Sequence, residues 1–184
     1  SAQATEADAF AFGNTSQAKG SSSIAMGKTA EASKENAIAL GGLSKAKDVN
    51  AIAIGGKAEA SKEGTMAIGT GAKADSISAV AIGIESEVTG ENFMAIGAKA
   101  VAETKNSLAL GAGTEIRGTL VNTYSAFTNE MNPATSGVVA VANVGTERRI
   151  INVAGGQNDT DAANVKQLRY VNNNLAQTIA GPTY

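Results

Sequence analysis

Large apolar residues and alanines alternate in short bursts along the chain, and the bursts recur with a single period. Eight cassettes, from Phe10-Ala11-Phe12-Gly13 to Leu108-Ala109-Leu110-Gly111, each close on a glycine, and Gly13, Gly27, Gly41, Gly55, Gly69, Gly83, Gly97 and Gly111 are spaced by fourteen residues. Small residues stand three and five places after most of these glycines, as in Ala30/Ala32, Ala58/Ala60 and Ala72/Ala74, before a polar turn rich in Lys, Glu, Asn, Ser and Gly. Alternation with period two is the mark of a strand, and β-branched Ile and Val suit one. Each repeat therefore reads as strand, turn, strand, turn. A unit too small to bury its own apolar face must stack on its neighbours. Parallel stacking at about 4.8 Å per coil gives a rod roughly 35–40 Å long. Alanine favours helix, but no apolar stripe of period 3.6 runs through these residues.

The alternation separates two faces of the first strand. Ile38, Leu40, Ile52, Ile54, Met66, Ile68, Val80 and Ile82 are expected to fill the coil interior. Ala11, Ala25, Ala39, Ala53, Ala67, Ala81, Ala95 and Ala109 would then point the other way. None of the forty residues in this strand and its closing glycine is charged. A solvated strand face normally carries polar side chains, so a small apolar face over eight coils predicts close packing against other copies of the chain. The second strand differs. Its outward position reads Gln17, Glu31, Lys45, Glu59, Lys73, Glu87, Val101, Glu115. The alternating signs predict a ladder that holds register, since a slip by one coil would set like charges together.

After Gly111 the register breaks. A weaker cassette, Val139-Ala140-Val141-Ala142, returns 31 residues after Leu108, which is one repeat plus a seventeen-residue insertion. The inserted part carries Tyr124, Phe127, Met131 and Pro133 and reads as a hairpin or a packed loop. Further on, Asp159-Thr160-Asp161 predicts a helix start. Val165, Leu168, Asn172, Leu175 and Ile179 keep spacings of three and four, a short heptad seam with one polar position. Gly181-Pro182 ends it.

Composition narrows the function. Only 4% of residues are aromatic, and the net charge of −2 mixes Lys with Glu. A nucleic-acid binder would show a basic face. The chain has no Cys, which removes disulfides and thiolate chemistry, and no His, the commonest general base and metal ligand. No apolar run approaches the ~18 residues of a membrane span, and no secretory leader opens the chain. Both fit a segment of a longer protein. Gly41-Gly42 and Gly55-Gly56 are turn glycines in register with the repeat, and no Gly-Lys-Ser/Thr follows them. Asp159 and Asp161 are read as caps rather than metal ligands. No catalytic, cofactor or metal site is expected.

These residues carry a family resemblance. The fourteen-residue repeat with its φ-Ala-φ-Gly cassette (φ, a large apolar residue) resembles the YadA-like head of trimeric autotransporter adhesins. Arg148 to Leu168 resembles their neck: Arg148, Ile150, Asn152, Val153, Ala154, Asp159, Thr160, Asp161, Ala162, Asn164, Val165, Gln167 and Leu168 match its motif. The insertion and Gly156 depart from it. The resemblance implies a mainly β fold, a left-handed parallel β-roll of fourteen-residue coils. It implies a homotrimer, with a C-terminal neck and the start of a coiled-coil stalk. The expected divisions are a head over 1–117, an insertion and degenerate last coil over 118–147, a neck over 148–164 and stalk over 165–184.

The implied function is non-catalytic attachment to host matrix proteins or cell-surface receptors, and autoaggregation. The implied location is the bacterial cell surface, with the parent anchored in the outer membrane by a C-terminal segment absent here. A pure spacer that binds nothing is the alternative. Hexapeptide acyltransferases share a left-handed β-helix, but they need a catalytic His and a coil that is a multiple of six. Ice-binding and calcium-roll proteins need Thr or Asp arrays that this chain lacks. The sequence does not rank ligand-contact residues.

Overall fold

Every seven residues the chain turns a corner with positive φ. The corner falls at Asp8, Thr15, Ser22, Thr29, Asn36, Leu43, Asn50 and Lys57, then at Gly64, Gly71, Ser78 and Glu85, and again at Lys99, Asn106 and Gly113. The fourteen-residue repeat is thus two seven-residue half-coils, each a short strand and a tight corner. The computed structural model describes residues 1–90, 93–118 and 137–180. Contacts divide these into two units, residues 1–147 and 148–184.

The first unit is a parallel β-solenoid. Three-residue strands, such as Ile38–Leu40 and Ile52–Ile54, stack into one nine-stranded sheet; two-residue strands, such as Lys45–Ala46 and Glu59–Ala60, stack into a second. Register is in phase with the repeat: Ile38 pairs with Ile52, Ala39 with Ala53, Lys45 with Glu59. The corners stack as well, with the Leu43 amide donating to the Lys28 carbonyl at 2.8 Å and Lys57 to Gly42 at 2.9 Å.

The coil interior reverses the expected faces. Ala25, Ala39, Ala53, Ala67, Ala81, Ala95 and Ala109 are fully buried inside the roll, and Ala11, in the end coil, is half-buried. Ile38, Leu40, Ile52, Ile54, Met66, Ile68, Val80 and Ile82, expected as the core, lie on the outside and are only half-buried. Facing strands of one coil bring Cα atoms within 8 Å, against ~10 Å for sheets separated by large side chains. A gap that narrow admits a methyl or hydroxymethyl group, and the larger side chains must face out. Five of the eight layers hold four small residues, as in Ala37, Ala39, Ser44 and Ala46, all 0% exposed, and the last three each admit one larger group, Val88, Phe93 or Ile116. Buried hydroxyls return to the backbone: Ser44 donates to the Gly41 carbonyl at 2.8 Å and Ser86 to Gly83 at 2.9 Å. Among the described residues no buried side-chain polar atom is left unpaired.

The glycine that closes each cassette has two reasons to be glycine. Gly55 has φ +126, and a Cβ there would lie 2.6 Å from the Gly69 carbonyl carbon of the next coil. Coil seven shows how the interior tolerates a larger group. Phe93 is 2% exposed in place of a small residue, and its ring fills the space that a side chain at Gly90 would need: a Cβ there would lie 1.4 Å from Phe93 Cε2.

After Gly111 the apolar sheet gains one more strand, Val139–Ala140, with Val139 opposite Leu108 and Ala140 opposite Ala109. The cassette thus re-enters the stack 31 residues on, as its spacing predicts. The other sheet ends differently: Asn143 takes the place of a strand, accepting from the Glu115 amide at 2.7 Å and donating to the Gly113 carbonyl at 2.7 Å. The expected hairpin or loop around Tyr124, Phe127, Met131 and Pro133 lies outside the described residues. In the second unit, α1 (Val165–Ala180) is the one helix among the described residues.

Candidate functional site

Three surfaces carry the features singled out by sequence. The first is the outside of the three-residue strands. Two ladders of large apolar side chains run up it, one from Phe10 to Leu108 and one from Phe12 to Leu110, sixteen residues in all. None is buried, and Met26, Met94 and Leu110 are 42%, 37% and 42% exposed. A continuous apolar face of this length on a roll whose interior is already filled is a surface made to be covered.

The second surface is the outside of the two-residue strands. Glu31, Lys45, Glu59, Lys73 and Glu87 stack in register as the alternation predicts. The closest ion pairs lie off the ladder, and the two lysine pairs run diagonally between coils. Lys19 reaches Glu31 at 2.6 Å, Lys47 meets Glu59, and Arg117 joins Glu103 and Glu115. The donor in each of the first two pairs stands two places after the ladder position, one coil earlier. Its hydrogen bond is the main cause that holds the Glu31 and Glu59 carboxyls below their ordinary value of 4.5, against the opposing effect of partial burial. Lys45 and Lys73 act on Glu59 only at longer range.

The third surface is the neck segment. Asn164, not Asp159 or Asp161, caps α1. The Gln167 amide donates to Asn164 Oδ1 and the Asn164 amide to Gln167 Oε1, both at 3.1 Å, a reciprocal capping box. Asp161 serves the loop before it, accepting from the Gln157 and Asn158 amides at 2.9 Å; these bonds lower its pKa. The same two capping side chains hold that loop to the helix start. Asn164 Nδ2 donates to the Val153 carbonyl at 3.1 Å, and the Gln167 side-chain amide exchanges two hydrogen bonds with the Gly156 backbone at 2.9 and 3.0 Å. Gly156 sits tightly here, since a Cβ would lie 3.0 Å from Asp161 Cβ. Asn152 takes φ +61, which Asn tolerates better than most residues. Around this clamp the apolar residues are bare: Ile150, Ile151, Val165, Leu168, Leu175 and Ile179 are all more than half exposed.

Gln167 belongs to the neck motif, and its place three residues after Asn164 is the spacing of a capping box. Asn143 carries no local signal, because its partners lie 28 and 30 residues away in sequence.

Family models match both units. The YadA head domain repeat matches residues 4–30, 32–58, 60–86 and 89–114, and the coiled stalk of trimeric autotransporter adhesins matches 149–182. The chain belongs to the YadA-like trimeric autotransporter adhesins. Its fold is similar to the crystal structure of the collagen-binding domain of the Yersinia adhesin YadA. The identity is 27% and the TM-score 0.62, over 92% of this chain and 78% of that one. No curated protein matches. This YadA-like chain is therefore an adhesin head module, of a family and fold that are non-enzymatic in kind. Among the described residues no helix is long and apolar enough to cross a membrane.

Proposed function

We propose that three copies of this chain pack through the apolar ladders and display the head for attachment to host extracellular matrix or host cells, and for autoaggregation. The observation that carries this reading is the sixteen-residue apolar face on a roll whose interior is already filled with alanine. Burying half of a Leu or Ile side chain contributes on the order of 1 kcal/mol, so two ladders summed over eight coils favour association strongly. The interface is thus assigned to Ile38, Leu40, Ile52, Ile54 and their equivalents, rather than to the alanines between them. The bare neck residues Ile150, Val165 and Leu168 extend the same demand into the second unit, where three α1 helices would share the heptad seam.

The likeness to a collagen-binding head supports matrix attachment. The roll's repetition supports binding by avidity, since many weak contacts on a trimer act as one strong one. In the full-length parent the family implies display at the bacterial surface, with anchorage in the outer membrane. Sedimentation of the purified chain at micromolar concentration, followed by solid-phase binding to collagen, fibronectin, laminin and epithelial cells, tests both parts. A stable monomer defeats the trimer. A trimer that binds none of these surfaces returns the chain to the role of a spacer.

A further inference from the structure

The corner position that follows each cassette glycine by two residues holds Thr15, Thr29, Leu43, Lys57, Gly71, Glu85, Lys99 and Gly113. Leu43 stands apart. It is the one aliphatic side chain with positive φ among the described residues, at +63, and it is 45% exposed. Thr, Gly, Lys or Glu fills the same corner elsewhere, so Leu43 is the one apolar side chain presented there. Two open grooves flank it. One, of about 360 Å³, is lined by Lys28, Gly42, Leu43, Gly56, Lys57 and Thr70. The other, of about 240 Å³, reaches Lys45 and Glu59. Lys28 and Lys57 are exposed and form no ion pair among the described residues, while Lys45 stacks between Glu31 and Glu59. The one carboxylate in the grooves, Glu59, is neutralised by Lys47. The edge is therefore cationic around an apolar knob.

Lys28 and Lys57 stand two coils apart, about 9.6 Å along the axis, with Leu43 in the coil between them. A polyproline-II segment advances about 9.3 Å in three residues and returns to the same face. We propose that this edge docks an acidic peptide segment in extended, polyproline-II-like form, with carboxylates three residues apart and an aliphatic side chain between them. The carboxylates meet Lys28 and Lys57, and the aliphatic group lies against Leu43. A sulfated polysaccharide would satisfy the lysines but leave Leu43 without an apolar partner. The site lies within one chain, and it stands or falls separately from matrix attachment.

The test uses the full chain in its native assembly and a fluorescein-labelled (Glu-Leu-Pro)₃-Glu peptide, read by fluorescence anisotropy. The controls are the Gln counterpart and heparin. Variants borrow residues from neighbouring coils, so the corner still folds: Leu43→Thr, as at Thr29, and Lys57→Gly, as at Gly71. Each is expected to weaken peptide binding about threefold to fivefold, and the pair about tenfold or more. Equal binding of the Gln peptide, equal binding by the double variant, or capture of heparin but not peptide would overturn the proposal. So would a Leu43→Cys variant that maleimide cannot label in the native assembly, because the edge would then be covered by another copy.

Discussion

The two sheets of the roll share one half-coil plan and differ only in what they present outward. Inside, both contribute small buried residues, Ala39 from one and Ala46 from the other, and both turn through the same positive-φ corner, Asn36 before one strand and Leu43 before the next. Outside, one presents Ile38 and Leu40 while the other presents Lys45 and Lys47. Backbone geometry thus specifies the interior; under the proposed trimer, association specifies the exterior, so that an alanine here belongs to the fold and an isoleucine to the interface.

Substitutions can break that division from either side. The largest effect is expected inside. Ala53→Leu forces a side chain into a gap sized for a methyl group and should cost about 3 kcal/mol, with loss of the cooperative melt read by circular dichroism. Gly90→Ala should rank close behind, because Phe93 already occupies the space its Cβ requires; adding Phe93→Ala to the same chain should recover most of the loss. Outside, Ile52→Glu with Ile54→Glu should leave a folded roll by circular dichroism but shift sedimentation from trimer to monomer. If the pair instead unfolds the isolated roll, the division between fold and partner is wrong.

Smaller effects sharpen the picture. Gln167→Ala removes one half of a capping box and both bonds to Gly156. It should lower helix stability by about 1–2 kcal/mol, seen as faster amide exchange in the first turn of α1. Acid tests the charged sheet. The Glu31 and Glu59 carboxyls titrate below their ordinary 4.5 when folded. Their contribution is therefore complete above that value and is lost as pH falls through the folded pKa. The melting temperature should drop as pH is lowered below about 4.5, and Lys19→Ser with Lys47→Ser should flatten the drop. Reversing Lys45 and Lys73 to Glu would stack five carboxylates in register and should lower the melting temperature modestly at low salt, with the loss shrinking as salt is added.

Much of the fold was legible in the sequence. The period gave the coils, the in-phase register and the return of the cassette at Val139, because a stacked repeat repeats its spacing in space. The direction of the faces was not legible. Ile-Ala-Leu alternates two apolar classes, and alternation says that they lie on opposite sides without saying which side is inside. The gap between the sheets decides that, and the gap depends on a second strand seven residues away. The helix start was placed too early for a related reason. Asp159, Asp161 and Asn164 are all capping residue types, and Gln167, three beyond Asn164, is what separates them.

The roll's backbone hydrogen bonds run from coil to coil, along the axis of stacking. A pull along that axis therefore loads successive coils in series, and a lone roll would yield at its weakest coil rather than sharing the force. Side-by-side packing changes the mechanics. In the proposed trimer, a coil that opens would also have to peel its isoleucines from its neighbours, and the apolar ladders would then set the tensile strength of the head as well as its stoichiometry.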